Sequence, residues 1–310
     1  MTAFALKMIA IGSMLIDHIG DIFGMYTPVF FRWIGRIAFP IFAYMIAQGC
    51  THTKNIHNYL LRLGILALIS EIPFDIAFHR RMTADGAYDL NINFLVYTNV
   101  FYTLFLGVAC IAIYEGLKTK KRPWVALLPF VFVPVTFALN FIPYVLILVM
   151  ILYTASALYF SHFLPDKDAD SPIRAKHKII AFLAAVPLLI TAYAMNTDFG
   201  AFGVGLIFFL YLGNPDNKLT RAIILTAGLV YRYGLDLFDR HSAYMDGQFA
   251  EAQQILNYDR LWILLFSLIA VPLICLYNGK PGRKAKWAFY VFYPAHIAIL
   301  MASWFVFLGV

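Results

Sequence analysis

Charged residues are scarce in this sequence. Asp, Glu, Lys and Arg make up 13% of its 310 residues, whereas a soluble globular protein carries roughly 25%. Hydrophobic residues make up 62%, and the mean hydropathy is +0.74. No segment is polar enough to form a soluble domain of its own. We therefore predict one integral membrane domain over residues 1–310.

Cysteine is also rare, and the common nucleotide and nucleophile motifs are missing. Cys50, Cys110 and Cys275 lie far apart without a CxxC pair, which excludes a disulfide framework and a zinc cluster. The sequence contains no P-loop, no GxGxxG, no GxSxG and no HxxxH. We therefore expect neither a metal ion nor a nucleic-acid partner.

Long apolar runs, in contrast, recur from end to end of the chain. Runs of about 20 apolar residues are typical of helices that cross a bilayer. The pattern predicts an all-α, polytopic transmembrane helical bundle with about 10–11 spans, so the lipid bilayer is its first partner. The predicted spans are 4–24, 30–49, 58–79, 98–116, 124–140, 143–163, 178–196, 199–213, 219–238, 260–278 and 286–308. Pro143 leaves open whether the fifth and sixth are full spans or half-helices.

The distribution of lysine and arginine predicts the orientation. Alternate loops hold 16 of the 24 basic residues, and such loops face the cytoplasm. The N-terminus is then cytoplasmic, and residues 239–259 form the longest outer loop. The basic inner face attracts anionic lipids. It is also suited to the phosphates of a ligand such as coenzyme A, for which Arg62 is a candidate.

Several polar residues remain within the predicted spans, where they are costly. A rise of about 1.5 Å per residue places them in one slab on the outer side of the midplane. This shared depth is not expected of scattered structural residues. They are His18, Arg36, Glu71, Asp75, Asn99, Arg232 and His296.

Helix geometry predicts how these residues pair. Glu71 and Asp75 are four positions apart and share a face, whereas the adjacent Asp17 and His18 diverge. Arg36 is the natural counter-ion for Asp17 or for the Glu71 and Asp75 pair. Such ion pairs serve packing or chemistry, and the residues alone leave both open. Two histidines close to carboxylates favour proton transfer, because the imidazole pKa is ordinarily near neutrality.

Six motifs in this order resemble the TraX family, whose founding member is associated with N-terminal acetylation of conjugative pilin. They are LKMIAIGSMLIDHIG, RWIGRIAFPIFAYMIAQG, YLLRLGILALISEIPFD, TNVFYTLFLGV, TDFGAFGVGLIFFLYL and FYVFYPAHIAIL. The most specific pieces are the Asp-His pair, GRxAFPxF and the terminal YxxH of Tyr293 and His296. The family is similar to transmembrane acyltransferases that use cytoplasmic acyl-CoA. The matching positions are Asp17, His18, Gly35, Arg36, Phe39, Pro40, Asn99 and His296.

The resemblance implies a membrane acetyltransferase that uses acetyl-CoA as the acyl donor. His18 would be the general base and Asp17, or another carboxylate, would orient an imidazole. Asn99 and Arg36 would polarise the thioester carbonyl, and His296 is a second candidate for base or orienter. Glu71, Asp75, Arg62 and Tyr293 complete the expected substrate-binding set. Direct transfer is simpler than an acyl-histidine intermediate.

The acceptor and the assembly stay open. A protein N-terminus, an amino sugar or a glycan, reached from the outer face, fits the expected chemistry, and a homo-oligomer is compatible with it. The main alternative is a secondary transporter that uses the same intramembrane residues as a proton or substrate path. The absence of an inverted repeat argues against the transporter.

The predicted orientation is testable by cysteine labelling in intact cells. Cysteines placed at Lys120 and Lys284 should be shielded from an impermeant thiol reagent, because their loops face the cytoplasm. A cysteine at Ser242 should be labelled. Labelling of the first two positions would contradict the predicted orientation and indicate the opposite one.

Overall fold

The computed structural model describes residues 1–78, 80–82, 88–90, 97–118, 127, 155, 158, 175–235, 237, 252–283 and 286–308. Most of these residues lie in helices. The helices are α1 (Ala3–Ile22), α2 (Phe30–Gly35), α3 (Ala38–His52), α4 (Ile56–Phe78), α5 (Val100–Lys118), α6 (Ala175–Ala194), α7 (Gly200–Leu212), α8 (Lys218–Leu229), α9 (Ala252–Cys275) and α10 (Lys286–Leu308). A 3₁₀ turn, Gly24–Tyr26, follows α1.

The all-α membrane class is confirmed in the described residues. Five segments there are long and apolar enough to cross a membrane, namely Ala3–Ile22, Phe30–His52, Val100–Lys118, Lys176–Ala194 and Ala288–Phe307. Large apolar side chains also cover outer surfaces of the helices: on α4, Leu61 and Leu68 are 61% and 65% exposed. Such surfaces suit lipid rather than water. Apart from residues 127, 155 and 158, the predicted spans 124–140 and 143–163 lie outside the described residues.

The second predicted span is two helices rather than one. Arg36 and Ile37 donate their N–H groups three residues back, to Trp33 O and Ile34 O, at 3.1 and 3.2 Å. This short-turn pairing separates α2 from α3. Pro40 lies in the first turn of α3, where its missing N–H costs little but where it cannot continue a helix from Arg36.

Three further boundaries differ from the prediction. The α-helical part of span 219–238 ends at Leu229 and continues as a π-helical turn, Val230–Gly234. Helix α9 begins at Ala252, so the predicted outer loop 239–259 is shorter at its end, because a helix can extend into polar sequence beyond the apolar part. Two short strands, β1 (Arg80–Met82) and β2 (Tyr88–Leu90), pair antiparallel between α4 and α5.

The chain divides into two compact units, each made of separate stretches. Unit 1 comprises residues 1–48, 73–91 and 212–310, and unit 2 comprises 49–72 and 92–211. In unit 1, α1 packs on α2 and on α10, while α9 packs on α2 and α8. Its fully buried residues include Leu6, Ala10, Ile41, Tyr44, Ala47, Leu225, Leu229, Ala270, Ile274 and Ile297. The prediction of a single domain stays a prediction.

In unit 2, α5 is the central helix. It packs along α6, and the run from Val108 to Ile113 has no exposed surface. Gly107 lies against α7, because a Cβ atom there would come within 2.8 Å of Ile207 Cδ1. Thr103 Oγ1 donates a hydrogen bond to Thr197 Oγ1 at 3.0 Å. Unit 2 therefore depends on close helix approach at small residues.

The contact at Gly107 predicts an asymmetry between two glycines. Gly107→Ala should lower the free energy of unfolding of the purified protein by about 1–3 kcal/mol, and with it the melting temperature, because the new methyl group overpacks Ile207. Gly205→Ala is the matched control, since a Cβ there meets only Leu189 Cδ2, at an ordinary 3.6 Å. Both variants gain the same helix propensity. Equal melting temperatures would contradict the close contact.

Candidate functional site

Two histidines from the two ends of the chain form a hydrogen-bonded pair in unit 1. His18 lies on α1 and His296 on α10, and both are buried, with 9% and 5% exposed. His18 Nδ1 is 2.7 Å from His296 Nε2. The ring planes are 9° apart and the centroids are separated by 4.9 Å. The rings thus meet edge to edge through their nitrogen atoms.

A backbone carbonyl determines the tautomers of the neutral pair. His296 Nδ1 is 2.7 Å from Phe292 O, and a carbonyl oxygen only accepts, so Nδ1 carries the hydrogen. His296 Nε2 is then the acceptor, and His18 Nδ1–H donates to it. The Nε2 atom of His18 consequently holds a lone pair. Among the described residues, none donates a hydrogen bond to that atom.

Aromatic rings surround the pair. Phe78 meets the His18 ring edge-on at 5.1 Å, and Tyr293 meets it in the same manner at 6.0 Å. Phe292 lies parallel to His296 at 4.6 Å between centroids. These contacts restrict the rotation of both imidazoles and keep water scarce beside them. Tyr293, a predicted binding residue, is thus placed at the pair.

The carboxylate of Asp17 belongs to a separate ion-pair network beside this pair. Arg36 Nη2 donates to both of its oxygens, at 2.9 and 3.0 Å, and Arg32 Nη1 is 2.9 Å from Oδ1. Arg32 also pairs with Asp21 at 3.1 Å. Two carboxylates therefore balance two guanidinium groups. This arrangement confirms Arg36 as the counter-ion of Asp17.

Glycine is required where α2 approaches this network. A Cβ atom on Gly35 would lie 2.5 Å from Asp17 Oδ1 and still closer to the Asp17 side-chain carbons. The Asp17 side chain thus occupies the space that any larger residue at 35 would need. Arg36 follows directly and reaches back to Asp17. The Gly-Arg pair and the aspartate are one packing unit.

The His18 ring is oriented by its hydrogen bond to His296 and not by Asp17. Asp17 and His18 diverge on α1, as their adjacency predicts. The carboxylate pairs with arginine, while the imidazole pairs with imidazole. Asp17 therefore holds the position of α2 against α1. Its predicted part in catalysis stays a prediction.

Glu71 and Asn99 form a second polar cluster, in unit 2. Glu71 Oε2 accepts from the backbone N–H of Asn99 at 3.2 Å and from its Nδ2 at 2.5 Å. Asn99 Nδ2 also donates to Ala67 O at 2.8 Å, and its Oδ1 accepts from Phe101 N at 2.9 Å. Asn99 caps α5, and the Glu71 carboxyl group lies at that helix N-terminus. Both amide hydrogens of Asn99 are thus occupied, so its expected action on a thioester stays a prediction.

The other predicted binding residues are dispersed on α4. Asp75 is buried, 1% exposed, one turn after Glu71 and beyond Pro73, which lies inside the helix. Arg62 has its guanidinium 5.7 Å from the Tyr59 ring centroid. Among the residues that the structure describes, no three histidine, cysteine or acidic side chains form a metal site.

A polar cluster in unit 1 was not predicted from the sequence. The buried Arg221 donates from Nη1 to Tyr44 Oη at 2.7 Å and from Nη2 to Cys275 O at 3.2 Å. Gln48 Nε2 donates to Asp216 Oδ1 at 2.8 Å. These bonds join α3, α8 and the end of α9. The available signal was the four-residue spacing of Tyr44 and Gln48, which places two polar groups on one face of an apolar helix.

Just beyond α9, the phenol of Tyr277 packs edge-on against Tyr44, with ring centroids 5.9 Å apart. A phenol ordinarily has a pKa of about 10, so it is protonated at neutral pH and adds no negative charge to the cluster.

The fold and this site define a multi-pass helical membrane protein that holds two hydrogen-bonded histidines within its spans. The chain belongs to the TraX family: the family model described as "TraX protein" matches residues 3–162. The chain is also 25% identical, over 311 aligned positions, to the probable fimbrial assembly protein FimC, serogroup H1, of Dichelobacter nodosus. That alignment covers 97% of this chain and 95% of the relative. No solved structure matches the chain.

The ion-pair network predicts different costs for its two aspartates. Asp17→Asn should lower the thermal stability, because it leaves two guanidinium groups facing one carboxylate. The loss should lie between the about 0–1 kcal/mol of a surface pair and the about 3–5 kcal/mol of a fully buried one.

Asp21→Asn is the matched control. Among the described residues, Asp21 pairs with Arg32 alone, and its side chain is 44% exposed against 15% for Asp17. The melting temperature of the Asp21→Asn variant should stay close to that of the wild type. A larger loss from Asp21→Asn than from Asp17→Asn would contradict the assignment of Asp17 as the centre of the network.

Proposed function

We propose that this protein is an integral membrane acyltransferase that moves an acetyl group from cytoplasmic acetyl-CoA to an amine or hydroxyl acceptor. The supporting observation is the hydrogen-bonded chain from His18 through His296 to Phe292 O. This chain leaves the lone pair of His18 Nε2 available to accept a proton. A general base must hold such a lone pair at the atom that meets the acceptor.

The transfer step follows from that lone pair. The acceptor nitrogen or oxygen attacks the thioester carbonyl carbon, and its proton passes to His18 Nε2. The carbon–sulfur bond then breaks, and the imidazolium returns the proton to the departing thiolate of CoA. The acetyl carbon thus gains a bond to the acceptor and loses its bond to sulfur, and His18 ends neutral, as it began.

His296 acts in this proposal as a positioning residue. It accepts the Nδ1–H of His18, so His18 cannot turn its protonated nitrogen toward the acceptor without losing that bond. When His18 becomes cationic, the same acceptor stabilises its Nδ1–H. The Phe292 carbonyl oxygen accepts the Nδ1–H of His296, just as His296 Nε2 accepts the Nδ1–H of His18. An orienting partner of this kind is the usual companion of a catalytic histidine.

The comparisons add a proposal for the acceptor. The relative is described as a probable fimbrial assembly protein, so a fimbrial subunit at the outer face is a suitable acceptor protein. An amino sugar or a glycan fits the same chemistry. The proposed setting is a bacterial inner membrane with the N-terminus in the cytoplasm. The basic inner loops would then receive the phosphates of CoA.

The proposal predicts a large loss of transfer in His18→Ala. Removal of a general base typically costs about 10²–10⁴-fold in rate. The variant should still fold and bind acetyl-CoA, because His18 is not part of the ion-pair network. The measurement is radiolabelled acetyl transfer from acetyl-CoA to a short peptide with a free N-terminus, or to glucosamine, by the protein in nanodiscs.

His296 supplies the control within the same assay. His296→Leu should lower kcat with little change in KM, whereas His296→Gln should restore part of the loss, because a glutamine oxygen can accept the Nδ1–H of His18. In the wild type the rate should rise with pH as His18 becomes neutral, and His18→Ala should lack that rise. If His18→Ala retains more than about a tenth of wild-type transfer, His18 is structural.

The donor is tested separately from the base. CoA should raise the melting temperature of the wild type, since ligand that binds only the native state stabilises it. Charge reversal at Arg62 should weaken that effect if Arg62 holds a phosphate. Proton movement across proteoliposomes without any release of CoA from acetyl-CoA would favour a transporter instead.

A further inference from the structure

Unit 2 contains an apolar groove that the acyl-transfer chemistry does not use. Its volume is about 460 Å³, within the roughly 300–1,000 Å³ typical of ligand pockets. It lies among α4, α5 and α6, and all of its lining residues are uncharged. They are Leu60, Leu61, Gly64, Ile65, Ala67, Leu68, Tyr102, Phe105, Leu106, Ala155, Leu158, Thr191 and Met195.

The rim of the groove belongs to the lipid-facing surface of the protein. Leu61, Ile65 and Leu68 line the groove and are 61%, 47% and 65% exposed. They lie on consecutive turns of one face of α4. In a multi-pass membrane protein such exposed leucine and isoleucine side chains face hydrocarbon. The groove is therefore continuous with the interface between protein and bilayer.

The buried side of the α4 wall is held by a hydrogen bond to the residue that caps α5. Ala67 is 1% exposed, and its carbonyl accepts the hydrogen bond from Asn99 Nδ2. Through this bond the groove wall is joined to the capped start of α5. A chain that enters from the bilayer would therefore meet a preformed surface, and little ordering of the protein would be needed to hold it.

We infer that this groove binds one acyl chain of a bilayer phospholipid, which stays with the protein as a bound lipid between α4, α5 and α6. Apolar walls match a hydrocarbon chain through dispersion contacts. A phospholipid reaches the rim directly from the surrounding bilayer. The uncharged lining supplies nothing to hold the phosphates of an acyl-CoA.

The test uses the full-length protein and a chemically defined lipid. Protein in nanodiscs that contain phosphatidylglycerol with a diazirine in its acyl chain is irradiated, transferred to detergent and digested. Crosslinks should concentrate on peptides that contain residues 60–68 and 102–106. Lipid extraction followed by mass spectrometry should show phospholipid that remains bound through purification in detergent.

Gly64→Leu provides the matched variant. A Cβ atom at Gly64 meets Phe105 Cε2 at an ordinary 3.5 Å, so the rest of the leucine side chain would occupy the groove. Gly12→Leu is the control, because a Cβ on Gly12 of α1 has no neighbour within 4 Å. Both replace a glycine inside a helix, so both variants gain helix propensity to the same extent.

Loss of the bound phospholipid and of the crosslinks in Gly64→Leu, with both retained in Gly12→Leu, would support the inference. Equal retention in both variants would overturn it. Crosslinks spread evenly over lipid-facing helices in the wild type would also overturn it, and this result does not require any variant to fold. Recovery of an acyl-CoA in place of phospholipid would assign the groove to the donor and reject the inference.

Discussion

The hydrogen bond between His18 and His296 is the interaction on which the proposed chemistry depends. An imidazole in a poorly hydrated environment has few partners, and an unsatisfied polar group there is expensive. Pairing one ring with another satisfies the Nδ1–H of His18 without introducing a charge. Phe292 O satisfies the remaining hydrogen of His296. The ring hydrogens of both histidines are thus hydrogen-bonded, and among the described residues none donates to the lone pair of His18 Nε2.

The charged residues close to this pair of histidines form a separate network of ion pairs. Asp17 and Asp21 balance Arg32 and Arg36, and the close contact at Gly35 brings α2 near enough to α1 for these bonds to form. Both oxygens of the Asp17 carboxylate accept hydrogen bonds from Arg36, whereas His18 Nε2 receives no hydrogen bond from any described residue. In the proposed mechanism His18 is therefore the group that meets the acceptor, while the ion pairs maintain the packing of the helices around it.

Much of the helix pattern could be predicted from the sequence, because apolar runs of the required length are a strong signal. The expected spans match α1, α4, α5, α6, α7 and α10 to within a few residues. Local backbone chemistry was harder to predict. The separation of α2 from α3 depends on short-turn bonds at Arg36 and Ile37, which hydropathy does not report. The early start of α9 was missed because its first turns are polar.

The candidate site was predicted in composition but not in pairing. The residue types identified Asp17, His18, Arg36 and His296, yet the partner of His18 depends on how α1 and α10 pack, at a separation of 278 residues. Sequence spacing within one helix cannot supply that information. The same holds for Asn99, whose amide hydrogens are occupied by Ala67 O and Glu71.

The protonation state of His18 is the most direct test of this account. Solid-state ¹⁵N NMR of histidine-labelled protein in lipid, at neutral pH, distinguishes protonated from unprotonated ring nitrogens. We predict that the His18 signals, identified by their loss in His18→Ala, show a protonated Nδ1 and an unprotonated Nε2. A protonated Nε2 with an unprotonated Nδ1 would contradict the account, because no lone pair would then be available to accept the proton of the acceptor.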